Sequence, residues 1–180
     1  MPVYVDGDSP GAQKLGARFK VSGYPTMVLF NPQGAEMTRL PGEVDAQRYT
    51  EVLTLGMNAQ RPVKDVLEQA KAGGQGLTPN DWRLLAFYSW DTDQQLVPKN
   101  GVPALLKQLA DACPADQTEV ATRLRLKALA ATDTKADAKV AAKATPADQA
   151  TLLKLLADPA APRAHMDVLE IGRASCRERV

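Results

Sequence analysis

Residues 21 to 34 read VSGYPTMVLFNPQG, and no other stretch narrows the fold as far. TMVLF (26–30) is a compact apolar run that suits a strand buried on both faces. NPQG (31–34) has proline at its second position and glycine at its fourth, as a type I turn favours. AEMTRL supplies a return strand, so the sequence predicts a hairpin entered through Gly23, Tyr24 and Pro25.

The flanks extend this pattern. VYVDGD (3–8) begins with β-formers and ends in turn residues, which predicts a short strand. Ser9 and Pro10 then suit an N-cap and a first-turn proline, and Ala12, Leu15, Gly16 and Phe19 recur at helical spacing. Beyond the hairpin, Pro41 and Gly42 break the strand and Asp45 suits a cap. Tyr49, Val52, Leu53 and Gly56 trace the inner stripe of a helix from about 45 to 57. The expected order is β-α-β-β-α.

That order, with VDGD ending the first strand, KLGARFKVSGYPT leading into the loop, VLFNPQG forming the hairpin and LPGEVDAQRY opening the last helix, resembles the C-terminal half of the thioredoxin fold over residues 2–57. The resemblance implies an incomplete α/β thioredoxin-like domain and assigns Tyr24, Pro25 and Thr26 to the loop that contacts substrate. It implies a cis peptide before Pro25, whereas the residues alone favour an ordinary trans proline opening a strand. Protein or peptide thiols and disulfides are the implied substrates. The family's β-α-β unit and the helix that carries its Cys-x-x-Cys pair are expected upstream of Met1. No catalytic residue is therefore assigned within these 180 residues.

Cysteine usage agrees. The last ten residues, IGRASCRERV, resemble a sequencing adapter read in frame, so 170–180 is set aside as a cloning or assembly scar and Cys176 with it. Without Ile171 to Val180 the charge falls from +1 to about −1. Cys113 alone cannot form an intramolecular disulfide, a dithiol or a thiolate zinc site. In DACPADQ it stands at an expected helix start, where it reads as a capping-position residue or a sensor thiol. His165 reads as a surface residue, and neither a metal nor a cofactor is expected.

A second domain is expected over 59–169, after a boundary at residue 58. Helical stripes recur: Val63, Val66, Leu67 and Ala70, ended by GGQG (73–76); Trp82, Leu85 and Ala86 after Thr78 and Pro79; Leu105, Leu106 and Leu109; Val120, Leu124 and Ala128; Leu152, Leu153 and Leu156. TPND (78–81), CPAD (113–116) and TPAD (145–148) fit either a degenerate tetratricopeptide repeat or shared helix-start punctuation in an irregular bundle. Trp82, Phe87, Tyr88 and Trp90 suit a core or a peptide groove. The Ala- and Lys-rich run 127–144 reads as an exposed helix or connector.

No basic run points to nucleic acid, and no apolar stretch is long enough to span a bilayer. Two functions follow: a piece of a thioredoxin-family thiol:disulfide oxidoreductase that is inactive as it stands, or a redox-inactive thioredoxin and helical-repeat co-chaperone. A glutathione transferase-like reading lacks its acid-serine pair in LPGEVDAQRY. The family resemblance favours the bacterial periplasm.

Overall fold

The computed structural model describes residues 1–21, 25–41, 44–98 and 101–133, together with Ala150, Leu153, Lys154, Ala157, His165 and Val168. Two compact units divide these residues. One holds Met1–Gln69 and Leu77–Val97, the other Ala70–Gly76 and Pro98 onward.

The first unit is built on the hairpin. Strand β1 (Thr26–Phe30) pairs antiparallel with β2 (Glu36–Pro41), with Met27 opposite Leu40 and Leu29 opposite Thr38. The register shifts between Leu29 and Phe30, so Phe30 lies opposite Glu36. The NPQG turn closes as its composition requires: Gly34 donates its N–H to the Asn31 carbonyl at 2.9 Å, and the Asn31 side chain accepts the N–H groups of Gln33 and Ala35. Gly34 has φ 80°, which glycine adopts without a Cβ clash.

Helix α1 (Ala12–Arg18) precedes the hairpin and α2 (Ala46–Met57) follows it. Asp45 caps α2, its carboxylate accepting the Arg48 N–H at 2.8 Å. Gly56 lets α2 lie close to the sheet, because a Cβ there would fall 2.4 Å from Thr38 Cγ2 and 3.0 Å from Leu29 Cδ2. Helix α3 (Val63–Lys71) buries Val63, Val66, Leu67 and Ala70 as its stripe requires. Helix α4 (Pro79–Phe87) starts in a capping box, where Thr78 and Asp81 satisfy each other's backbone N–H groups. Arg83 of α4 reaches Glu51 of α2 at 2.6 Å, and Arg48 of α2 lies over the Phe87 ring.

Three local expectations change. Residues 2–5 form no strand: among the described residues the sheet has two strands, and without a ladder partner Val3 and Tyr4 are 72% and 92% exposed. For the same reason β1 is half-buried along its length rather than covered on both faces. Ser9 does not cap α1. Its N–H and hydroxyl close a turn onto the Asp6 carbonyl, and the helix begins after Gly11.

The second unit contains α5 (Gly101–Ala112) and α6 (Thr118–Asp133), packed on each other through Leu105, Leu106, Leu109, Leu124 and Ala128. Val168 packs on Leu126. His165 is buried at 3% exposure rather than on the surface, one turn from Val168, whose N–H it accepts. Leu153 is exposed; Leu152, Leu156, most of 127–144 beyond Asp133, and the tail 170–180 with Cys176 lie outside the described residues. Among the described residues no helix is long and apolar enough to cross a membrane.

Candidate functional site

The site expected from sequence is the entry to β1. Pro25 is exposed in a bend immediately before the strand, and Thr26 is the first ladder residue, opposite Pro41. Tyr24 lies outside the described residues. The described chain ahead of this entry ends at Val21. Helix α1 ends in a Schellman motif, with Val21 N–H on the Gly16 carbonyl at 2.9 Å and Lys20 N–H on Ala17 at 3.3 Å. This places Lys20 at φ 52°, the only non-glycine residue described with a positive φ. Glycine usually takes this position, so a lysine there carries local strain of about 1–2 kcal/mol.

Arg39 anchors that approach from β2. Its side chain is 1% exposed, yet every arm of the guanidinium is engaged. Nε and Nη2 donate to the two Glu36 oxygens at 2.8 and 2.9 Å, Nη2 also to the Phe19 carbonyl at 2.9 Å, and Nη1 to the Thr92 carbonyl at 2.6 Å and the Lys20 carbonyl at 3.4 Å. Burial opposes the charge. The hydrogen bond to Glu36, with Tyr88 and Asp93 nearby, outweighs it and holds the Arg39 pKa above its ordinary value.

Tyr88, fully buried, sends its hydroxyl between Glu36 Oε1 at 2.6 Å and Asp93 Oδ2 at 2.7 Å. Burial first, then the negative charge of Glu36, push its pKa far above that of an ordinary phenol, so it works as a fixed donor. Asp93 in turn accepts the Gln95 N–H at 2.7 Å. A cavity of about 400 Å³ adjoins this network, walled by Phe19, Phe30, Pro62, Lys64 and Leu96. Glu36 and Asp93 line it too, but their carboxylates are committed to partners within the protein.

The remaining candidates fall elsewhere. Trp82, Tyr88 and Trp90 are at most 1% exposed and form core, with Tyr88 and Trp90 ring centroids 4.5 Å apart and the Trp90 indole N–H on the Leu85 carbonyl. No aromatic groove is built from them. Cys113 follows the C-terminal end of α5, with four residues between it and α6, and its thiol donates to the Gln117 carbonyl at 3.8 Å. Burial, then Asp116, raise its thiol pKa against the opposing effect of Arg125, the reverse of an activated thiolate. Among the described residues no group of three or more His, Cys, Asp or Glu side chains is placed to hold a metal.

Sequence reasoning missed the Arg39 network. A lone arginine in AEMTRL reads as a solvent-facing strand residue, and the alternation of a strand would put Glu36 and Arg39, three apart, on opposite faces, so no sequence signal pointed to the pair.

Comparison with curated proteins and with solved structures gives no match. The family model of a thioredoxin-like domain matches residues 2–56, which run from the exposed N-terminal segment through α1 and the hairpin to the last turn of α2. Residues 2–56 of this chain are therefore a thioredoxin-like domain segment, followed by helices.

Proposed function

We propose that this chain is part of a thioredoxin-family thiol:disulfide oxidoreductase, contributing the peptide-facing hairpin but not the reactive pair. The observation that carries the reading is the exposed Pro25 at the entry to β1, inside the segment that matches the thioredoxin-like family. The resemblance assigns Tyr24, Pro25 and Thr26 to the loop that contacts an extended peptide substrate, and Pro25 stands exposed at its centre. Dithiol exchange needs an attacking thiolate and a second thiol to resolve the mixed disulfide. Cys113 and Cys176 are 63 positions apart in sequence and Cys113 has a raised pKa, so the Cys-x-x-Cys pair of the parent enzyme belongs outside these 180 residues.

Insulin reduction with dithiothreitol tests this. The chain is expected to give no acceleration beyond its Cys113→Ser, Cys176→Ser double variant. Turnover clearly above that control contradicts the reading.

The same thiol chemistry favours a second reading, a redox-inactive co-chaperone that holds unfolded clients. Light scattering of an aggregating, reduced client separates the two: suppression at stoichiometric chain, unchanged in the double variant, supports the holding role.

A further inference from the structure

We infer that residues 88–95, which lie beyond the family match, form a strap that positions the approach to Pro25 and Thr26, with Arg39 as the positioning residue. This rests on the reading of Pro25 and Thr26 as peptide contacts.

Two kinds of contact and one strained residue carry the inference. The strap runs along the hairpin and the end of α1 by backbone pairing: Ser89 N–H donates to the Arg39 carbonyl at 3.0 Å, Gln94 N–H to the Lys20 carbonyl at 3.1 Å, and Val21 and Asp93 form an antiparallel bridge. Side chains repeat the link, because Arg39 bonds the carbonyls of Phe19, Lys20 and Thr92 while Tyr88 joins Glu36 to Asp93. The third is backbone strain. Lys20 holds a conformation that non-glycine residues avoid, and its carbonyl is held by both Gln94 and Arg39.

Together these fix the chain at Val21, four residues before Pro25. Lysine could not replace Arg39. Its ammonium has three donors on one atom, whereas the guanidinium fork spans a carboxylate on one side and three carbonyls on the others. The strap thus acts on the β1 entry through Arg39 and does not itself face the peptide.

The test uses the full chain with reduced, carboxymethylated insulin B chain as the probe peptide. Wild type, Arg39→Lys, Tyr88→Phe and Pro25→Ala are each measured for peptide affinity and for amide exchange. Tyr88→Phe keeps the ring packing and removes only the hydroxyl, which covers the case in which Arg39→Lys fails to fold. The expected result is exchange at Val21 and Gln94 at least tenfold faster in both strap variants, a shifted Thr26 amide resonance, and peptide affinity at least fivefold weaker. Protection at Leu84 to Ala86 of α4 should stay at the wild-type level, which a merely destabilising change would not allow. Strap variants that keep wild-type protection at Val21 and Gln94, or lose it with peptide affinity unchanged, overturn the proposal. A wild type that binds no B chain, or binds it equally after Pro25→Ala, overturns the peptide-contact reading instead. The strap then stands or falls on the Val21, Gln94 and Thr26 amides alone.

Discussion

At the scale of single residues, the chain places its least forgiving positions where two backbones or two charges meet. Gly56 is one. With the ideal Cβ position only 2.4 Å from a β-branched Thr38, Gly56→Ala forces α2 away from the sheet, and the helix-propensity gain of alanine does not compensate. Urea unfolding should show a loss of about 1–3 kcal/mol, the usual cost of overpacking. Tyr88 is another. Its folded pKa lies above the ordinary 10.0, so below about pH 10 both folded and unfolded states keep the proton and its stabilising contribution is complete. Above that pH the unfolded chain ionises first, and stability falls. Denaturation midpoints of wild type and Tyr88→Phe should therefore converge as pH rises from 9 towards 11. A gap that stays constant would mean that the phenol is not held in its protonated form. Gly56 was legible as a member of the α2 inner stripe, but its contact with Thr38 was not, because a helical period shows which face is inward and not how close the neighbour comes.

At the scale of elements, local chemistry made several boundaries readable. The NPQG turn, the Asp45 cap, the Thr78-Pro79 start and the GGQG stop all form where composition places them. Each rests on contacts within a few residues, and short-range information is what a sequence displays directly. The elements that differed depend on distant partners. Residues 2–5 have the β-formers of a strand but no ladder neighbour among the described residues, and Cys113 ends one helix rather than opening the next. The α4 capping box is a direct test of the local rule. Thr78→Ala removes the hydroxyl acceptor of the Asp81 N–H and should cost about 1 kcal/mol, up to about 2, in urea unfolding. Thr78→Ser should restore most of it. An alanine variant as stable as wild type would assign the start of α4 to packing alone.

At the scale of the whole molecule, the family match ends at residue 56 but the contacts of the hairpin do not. Thr38 and Leu29 meet α2, Arg39 meets 88–93, and α4 ties to α2 through Arg83 and Glu51, so one compact unit draws on residues 77–97 as well. Sequence could not show this. The linking groups form two pairs, Glu36 with Arg39 and Tyr88 with Asp93, that lie far from each other in the chain and carry none of the apolar periodicity by which long-range packing is inferred. The thioredoxin-like hairpin is thus held in place by these later residues. Amide hydrogen exchange at Met27 to Leu29 and Thr38 to Leu40, in the full chain and in a chain ended after Asn58, tests it most directly. Protection in the full chain is expected within about tenfold of that at Leu84 to Ala86, and its loss in the shorter one, where the apolar and hydrogen-bonding cover from 77–97 is gone. Equal protection of the hairpin in both chains would contradict it.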